Sequence, residues 1–256
     1  MMLPVGLKKL LFRDYLVKGP RVRQRLGCRW LLDYRNHVDR KIILGKRFEA
    51  HQIVKLTALV RELRCDLFID VGANFGLYAV LLGRSCPELK QICAIEPQAR
   101  NYQQLCANVF LNGLSDLVRP IQAGASSHRC TAKFLENVAN HTGMSRLAET
   151  APAETNRDNF REVEVLVDRL DAMVEPEEGA RIALKVDVEG HELEVLAGAS
   201  ELLQNFPCVI QMEILGEQQV RVRQLCKTFD LVLREVIDCD HYFVNRAMLQ
   251  GEPTTR

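Results

Sequence analysis

The stretch DVGANFG, residues 70–76, follows the short apolar run at residues 67–69. An apolar run that stops at an acid and continues into a glycine-rich turn is typical of a strand that leads into a ligand site. Gly72 permits a backbone conformation or a close approach that a side chain would block, and Gly76 lets the next helix lie tightly on the sheet. The turn is not the GxGxxG of dinucleotide binders, and the carboxylate of Asp70 would repel a diphosphate. The stretch therefore predicts a site for a ligand with a positive charge.

Strand-like and helix-like segments alternate along most of the chain. Apolar runs predict strands at residues 67–71, 91–96, 117–123, 181–188 and 208–214, and a final antiparallel pair at 231–236 and 242–244. Apolar spacing predicts helices at residues 53–63, 77–83, 99–110, 193–204 and 218–229. Alternation of this kind implies parallel strands joined by crossover helices. The sequence therefore predicts an α/β fold with an open, doubly wound, mostly parallel seven-stranded sheet whose last strand is antiparallel.

Residues 125–180 interrupt this alternation. Strand candidates at 132–135 and 163–167 flank a polar stretch, residues 136–162. About 25 residues without periodicity are uncommon in a compact domain unless they form a lid or a binding loop. Asn140 and His141 lie within this stretch and are predicted to bind substrate, although ordinary turn chemistry would also explain them.

Basic residues are concentrated near the N-terminus. The whole chain of 256 residues has a net charge of +1, whereas residues 1–47 contain thirteen Lys or Arg and three acids, a local charge of +10. The leucines at 3, 7, 10 and 11 have helical spacing, which suits a helix at a membrane surface. We expect a basic helical N-terminal extension, residues 1–50, and a main domain, residues 51–250, with an insert at about residues 125–170. The extension could contact an anionic membrane, or it could be a solvated face around a helical cap.

The composition argues against several classes of protein. With 47% hydrophobic and 26% charged residues, the chain is an ordinary globular one. No apolar run reaches about 18 residues, and Lys8 and Lys9 interrupt the N-terminal one, so neither a transmembrane helix nor a secretory signal is predicted. The nine cysteines are scattered without a CxxC pair, which disfavours a disulfide framework or a zinc site. We expect a cytoplasmic protein, peripheral on the cytoplasmic face of the membrane if the extension binds lipid, without a DNA partner and with oligomerisation left open.

A second acid, Glu96, ends the next predicted strand, twenty residues after Gly76. An acid at this place in a doubly wound sheet accepts hydrogen bonds from the ribose hydroxyls of a nucleoside, and Pro97 can start a helix because it needs no N–H there. The turn, the acid and their spacing together predict an adenosine ligand with a cationic tail, a description that S-adenosylmethionine satisfies. The predicted cofactor-binding residues are Asp70, Gly72, Ala73, Asn74, Gly76, Glu96, Pro97, Ala125 and Asp187.

A third landmark is IALKVDVEGHE, residues 182–192. Lys185 and Asp187 interrupt an apolar strand and share one face, where a charged pair has to be solvated, paired or used. With FIDVGANFG, IEP at 95–97 and VLAGA at 195–199, this run resembles the FkbM-type methyltransferases over roughly residues 66–215, and KxDVEGxE is the most specific element. The resemblance implies a class I, Rossmann-like fold, S-adenosylmethionine as cofactor, and O-methyl transfer to a hydroxyl, often on a sugar of a glycan, a glycolipid or a natural product.

Methyl transfer needs the acceptor oxygen, the methyl carbon and the sulfur in line, and it needs removal of a proton. Candidates for the general base are Asp187, His191, Glu213 and His141. Asp187 could instead only orient a ligand, and His191 could be a hydrogen-bonding residue at the start of a helix. Lys185 joins Asn140 and His141 as a predicted substrate-binding residue. Asp187 and Glu213 could also hold a divalent cation through carboxylate oxygens, but we do not favour a metal.

The acceptor is the open part of this hypothesis. We expect a saccharide or glycolipid, in a surface or lipid-linked glycan. A small-molecule natural product or an RNA 2′-hydroxyl is the alternative acceptor. A noncatalytic adaptor that keeps the fold and binds a membrane or a partner through the basic extension is the alternative of another class. The intact residues Gly72, Gly76, Glu96 and Asp187 favour an enzyme over that adaptor.

Overall fold

The computed structural model describes residues 19–138, 144–152, 154–214, 222, 224 and 226–250. The strands are β1 (Arg21–Arg25), β2 (Cys28–Leu32), β3 (Leu67–Val71), β4 (Gln91–Ile95), β5 (Val118–Ile121), β6 (Gly124–Ala125), β7 (Cys130–Asn137), β8 (Arg146–Leu147), β9 (Phe160–Asp168), β10 (Ile182–Val186), β11 (Cys208–Glu213), β12 (Leu231–Ile237) and β13 (Asp240–Asn245). The helices are α1 (His37–Ile43), α2 (Ala50–Glu62), α3 (Leu77–Ser85), α4 (Ala99–Leu111), α5 (Leu170–Met173), α6 (Glu192–Ala197), α7 (Ser200–Asn205) and α8 (Arg246–Gln250).

The central sheet has seven strands in the order β12-β13-β11-β10-β3-β4-β5. Its pairs from β11 to β5 are parallel, and β13 is antiparallel to both β11 and β12. The predicted α/β class and the antiparallel last strand are confirmed. The chain runs outward from β3 to β5 and later outward on the other side from β10 to β11, so the strand order reverses between β3 and β10. Ligands of doubly wound sheets bind at that switch point, beyond the carboxyl ends of the strands.

The apolar runs form strands because both faces of the sheet are covered. Every residue of β3 and of β10 is buried, as expected for central parallel strands. On one face the core includes Leu56, Val80 and Leu105 of α2, α3 and α4. On the other face it includes Val195 and Leu203 of α6 and α7. The predicted strands and the helices at 53–63, 77–83 and 99–110 are confirmed to within a few residues. The helix predicted at 218–229 lies partly outside the described residues.

The insert forms a small four-stranded sheet in the order β6-β9-β7-β8. The two strand candidates are confirmed, but β7 and β9 are longer than predicted and pair along their whole length, from Cys130 with Val167 to Asn137 with Phe160. In β9 the more buried positions alternate with exposed Glu162 and Glu164, because one face of this sheet meets solvent. These charges made the first half of β9 look like polar loop. Asn140 and His141 lie outside the described residues.

The described part of the N-terminal extension is a hairpin followed by a short helix. Helical structure is present at α1, but residues 21–32 form the antiparallel pair β1 and β2 instead. The residues at the hairpin turn, Leu26 and Gly27, have φ angles of 51° and 74°, the left-handed values that tight hairpins require. The predicted helix containing Leu3, Leu7, Leu10 and Leu11 lies outside the described residues.

Amide side chains of α4 bond the free edge of β2. Asn108 Oδ1 accepts from Leu31 N–H at 2.7 Å, and Gln104 Nε2 donates to Leu31 O at 2.8 Å. One turn further along α4, Asn112 accepts from Arg29 N–H at 3.0 Å and donates to Arg29 O at 2.7 Å. A row of amides spaced four residues apart on one helix face thus serves β2 as a neighbouring strand would. This anchoring, with buried Trp30 beneath it, joins the extension to the main domain.

Among the helices that the structure describes, none combines the length and the apolar character needed to cross a bilayer.

Candidate functional site

A cavity of about 380 Å³ opens at the switch point, beyond the carboxyl ends of β3, β4 and β10. It brings together most of the residues that the sequence singled out. Those that line it are Asp70, Gly72, Ala73, Asn74, Glu96, Pro97, Ala125, Lys185, Asp187, His191 and Glu213. Gly76 does not line the cavity, and Asn140 and His141 lie outside the described residues. Predicted cofactor, acceptor and base residues therefore share one cavity.

The glycines of the turn after β3 fix its path. Gly72 has a φ of +80°, and a Cβ built on it would lie 1.9 Å from the backbone oxygen of Asp187. The turn and the end of β10 therefore approach each other more closely than any side chain allows. Gly76 has a φ of +88°, and its Cβ would lie 2.6 Å from Leu105 Cδ1 on α4. Gly76 thus serves helix packing, as predicted, and Gly72 shapes the cavity floor.

Asp70 is buried near the end of β3, and its two carboxylate oxygens differ in their hydrogen bonding. Its Oδ2 accepts from Ala79 N–H at 3.2 Å, whereas Oδ1 has no hydrogen-bond partner among the described residues. Burial raises the pKa of Asp70 to about 6, against the opposing effect of the Lys185 ammonium. An unpartnered buried oxygen is costly unless a ligand or water satisfies it. Asp70 thus has capacity to accept a hydrogen bond or to stabilise a cation in the cavity.

Glu96 stands just after β4 with both oxygens held by backbone. Oε2 accepts from Asn74 N–H at 2.8 Å, and Oε1 accepts from Gln98 N–H at 2.9 Å. Burial raises the pKa of Glu96 to about 7, although these hydrogen bonds lower it. A carboxylate has about four lone-pair sites, so each oxygen can accept another hydrogen bond. Both oxygens of Glu96 thus keep acceptor positions, which the predicted ribose contact requires.

Lys185 and Asp187 form an ion pair at the end of β10. The distance from Lys185 Nζ to Asp187 Oδ2 is 3.0 Å, so alternation did place the two on one face. The ammonium also lies 4.7 Å from the centroid of the Tyr78 ring. Burial lowers the pKa of Lys185, but the carboxylates of Asp187, Asp70 and Glu49 outweigh that effect and raise it. Lys185 is therefore a fixed cation whose first task here is to hold Asp187.

His191 is buried and bonds across the cavity wall. Its Nε2 lies 3.0 Å from Ser126 Oγ, and its Nδ1 lies 3.5 Å from Glu149. The side chain makes no capping hydrogen bond to α6, which begins at the next residue. Burial lowers the pKa of His191, which favours the neutral imidazole, although Glu194 and Glu149 act in the opposite direction. This contact holds the segment after Ala125, where the sequence placed part of the cofactor site.

Glu213 is the last residue of β11, the strand next to β10, which leads to Asp187. Burial, followed by the nearby carboxylates of Asp187, Glu189 and Asp240, raises its pKa to about 8. A carboxyl group with such a pKa can accept a proton near neutral pH.

Among the described residues, no group of His, Cys, Asp and Glu has the arrangement of a metal site.

The sequence analysis missed the parts of the cavity wall that the N-terminal extension and the insert contribute. His37, Lys41, Phe48 and Glu49 of the extension line the cavity, and so do Phe134, Met144, Ser145 and Leu147 of the insert. These residues have ordinary local sequence contexts. Glu49 directly precedes α2, where an acid is a common helix-start residue, so its sequence position carries no sign of a site.

The sheet order, the glycine turn at its switch point and the acid after β4 define a class I, Rossmann-like methyltransferase fold. A family model described as the Methyltransferase FkbM domain matches residues 70–241. The chain therefore belongs to the FkbM family of S-adenosylmethionine-dependent methyltransferases, as the resemblance predicted. The extension, including Glu49, precedes the matched region.

Curated proteins and solved structures are similar to this chain, and two relatives and one structure serve as examples. Methyltransferase sdnD of Sordaria araneosa is 33% identical, over 52% of this chain and 60% of its own. Hexuronic acid methyltransferase AglP of Haloferax volcanii is 29% identical, over 57% of this chain and 54% of its own. The chain thus matches less than two thirds of the length of either relative. The crystal structure of methyltransferase FkbM from Methylobacillus flagellatus KT is 17% identical, with a TM-score of 0.48 over 70% of this chain and 44% of that chain.

Proposed function

We propose that the protein is an S-adenosylmethionine-dependent O-methyltransferase whose acceptor is a saccharide hydroxyl, in a surface or lipid-linked glycan. The observation that carries this proposal is that the carboxyl groups of Asp70 and Glu96 line the same cavity. Two buried carboxylates there retain acceptor capacity, at the switch point where the fold binds nucleosides.

The residues present fit the cofactor chemically. Glu96 can accept from the two ribose hydroxyls, Ala73, Asn74, Pro97 and Ala125 line the same part of the cavity, and Asp70 Oδ1 can meet a cationic group. Asp187 supplies a further carboxylate toward the positive charge, held in place by Lys185. When bound, the cofactor supplies an electrophilic methyl group on a positively charged sulfur.

The acceptor's proton must leave as the new carbon–oxygen bond forms. We assign its removal to the deprotonated form of Glu213, whose pKa of about 8 makes it a stronger base than an exposed carboxylate and whose population grows as the pH approaches that value. The acceptor O–H bond would break and its proton would pass to a Glu213 oxygen. The methyl group supplied by the bound cofactor would leave its sulfur, which keeps the bonding electron pair, and would join the acceptor oxygen as a methyl ether. Asp187 is the alternative base, but its ion pair with Lys185 favours an orienting role. His191 is already engaged with Ser126, which favours positioning over proton removal.

The saccharide acceptor is supported by the relative named as a hexuronic acid methyltransferase, and by carboxylates that can accept hydrogen bonds from sugar hydroxyls. Asn140 and His141 of the insert remain proposed acceptor-binding residues. We also propose that the basic segment 1–47 places the protein at an anionic membrane surface on the cytoplasmic side.

Isothermal titration with S-adenosylhomocysteine tests the donor site. We expect binding to the wild type, a roughly tenfold or greater loss in Glu96→Ala because charge-assisted hydrogen bonds to the ribose disappear, and no change in Glu178→Ala, an exposed acid outside the cavity. Absence of binding to the wild type would remove the enzyme assignment, and unchanged binding to Glu96→Ala would remove the ribose assignment. Transfer of labelled methyl groups to lipid-linked and free oligosaccharides then tests the acceptor class.

Cosedimentation with phosphatidylserine vesicles tests the membrane proposal. Deleting all of residues 1–47 would also remove buried Trp30, so the variants should leave the hairpin backbone in place. We expect Arg23→Gln with Arg29→Gln, together with deletion of residues 1–18, to reduce the sedimented fraction. An undiminished fraction would contradict a role of the extension at the membrane.

A further inference from the structure

The cavity has two ends. Glu96 and Ala125 mark the nucleoside end, at β4 and β6. The other end lies beside β10, β11 and α2, where Asp187, Glu213 and Glu49 line the cavity. Because the donor occupies the first end, the acceptor hydroxyl has to approach from the second.

The position of Glu49 at this second end is set by its backbone, and Tyr78 is its neighbour there. It has a left-handed φ of 48° at the residue before α2, which costs free energy in a residue with a Cβ. The Tyr78 hydroxyl lies close enough to the carboxyl group of Glu49 to lower its pKa, against the larger effect of burial. The Tyr78 oxygen accepts from Gln211 Nε2 at 3.2 Å, so its own O–H is available to a neighbouring acceptor such as Glu49. Tyr78 belongs to α3, directly after the donor turn, so the orientation of Glu49 depends on the cofactor-binding part of the fold.

The charge around Glu49 is mostly negative. Its charged neighbours are Lys185, Asp187 and Asp240, and Lys185 is already paired with Asp187. The lining of the whole cavity includes six carboxyl groups and two ammonium groups, those of Lys41 and Lys185. Burial, and then the carboxylates of Asp187 and Asp240, raise the pKa of Glu49 to about 7, and a ligand carboxylate beside these acids would add unfavourable negative charge.

We infer that Glu49 is an acceptor-binding residue that accepts a hydrogen bond from a sugar hydroxyl and selects uncharged saccharides over those carrying a carboxylate. A carboxylate oxygen is a strong acceptor for a hydroxyl donor, whereas it repels a uronate group. This inference rests on the proposed methyl transfer to saccharides. It concerns a residue that lies before the region matched by the family, and it separates this chain from the relative named for a hexuronic acid.

The test compares two probes, methyl β-glucopyranoside and methyl β-glucopyranosiduronate, titrated by NMR into the full chain with and without saturating S-adenosylhomocysteine. We expect the wild type to bind the neutral glycoside more tightly. In Glu49→Gln we expect the neutral glycoside to bind up to about tenfold more weakly and the uronate more tightly, so that the ratio of the two dissociation constants shifts by about tenfold or more. Glu178→Gln, which removes an exposed charge outside the cavity, should keep the wild-type ratio.

A second variant, Tyr78→Phe, keeps the charge of Glu49 but removes the hydroxyl that orients it. Because the carboxyl group of Glu49 is still present, this variant should still discriminate against the uronate, whereas a general loss of structure would weaken both probes equally. An unchanged ratio in Glu49→Gln, a wild type that prefers the uronate, or binding of neither probe would overturn the inference.

Isothermal titration with S-adenosylhomocysteine keeps this result separate from the donor site. We expect Glu49→Gln to bind it within about twofold of the wild type, since Glu49 lies at the acceptor end. A tenfold loss would make Glu49 a donor residue and overturn the assignment. Failure of the wild type to bind S-adenosylhomocysteine would instead refute the proposed enzyme, and the glycoside ratio would still decide the role of Glu49.

Discussion

Substitution of Gly72 by alanine tests the close approach at the cavity floor. A Cβ on Gly72 would lie 1.9 Å from the Asp187 oxygen, so the two backbones must separate by about 1.5 Å to reach ordinary contact. This oxygen belongs to the main chain, and Asp187 N–H is itself bonded to Val71 O at 3.1 Å, so the atoms cannot simply rotate away. Overpacking of this kind costs about 1–3 kcal/mol. The left-handed φ of +80° adds roughly 1 kcal/mol for a residue with a Cβ.

We therefore expect Gly72→Ala to lower the free energy of unfolding by about 2–4 kcal/mol, or Tm by roughly 5–15 °C for a chain of this size. Gly179→Ala is the matched control, because Gly179 has a φ of +76° and open space where its Cβ would lie. It should lose only the backbone contribution, about 1 kcal/mol. Thermal and urea unfolding followed by circular dichroism measure both. Equal losses in the two variants would refute the argument that contact with Asp187 is what requires glycine at residue 72.

Three further results are expected. Burial raises the pKa of Glu213 from 4.5 to about 8, so the stability contributed by its bound proton is fully present below pH 4.5 and is lost as the pH rises to about 8. The Tm of Glu213→Gln should therefore fall less over this pH range than the Tm of the wild type. Identical pH profiles of Tm would contradict this. Ser126→Ala removes the hydroxyl next to buried His191 and should cost about 1–3 kcal/mol in urea unfolding; a neutral change would show that this contact is dispensable. Asp39→Ala removes the carboxylate that accepts from Asp33 N–H at 2.7 Å and from Gln104 Nε2 at 2.8 Å. The buried donors left without this acceptor should lower Tm by several degrees, measured by calorimetry. A Tm within about 1 °C of the wild type would contradict this.

The parts of the site that lie at strand ends could be predicted from the sequence. Gly72, Glu96 and Asp187 each follow an apolar strand, and parallel strands bring their carboxyl ends to one edge, so local pattern and topology were sufficient. The family resemblance added the cofactor and the reaction.

The parts that depend on distant packing could not be predicted. Glu49 reaches the cavity only because α2 packs on the sheet beside β11, a contact between segments far apart in sequence. The hairpin turn uses Leu26 and Gly27 rather than Asn-Gly, so the usual signal for a tight turn was absent. In β9, charged residues on the solvent face concealed a strand that pairs along its whole length with β7.

The amides of α4 that bond β2 also order events during synthesis. The hairpin emerges from the ribosome first, but its partners Gln104, Asn108 and Asn112 follow some 70–80 residues later. At 5–20 residues per second this delay is about 4–16 s. Throughout it, the edge of β2 has bare N–H and C=O groups and Trp30 has no core to enter, a state in which strands pair with wrong partners. The nascent chain therefore carries this unpaired strand edge until α4 is complete, and a chaperone that shields residues 21–32 would act in that interval.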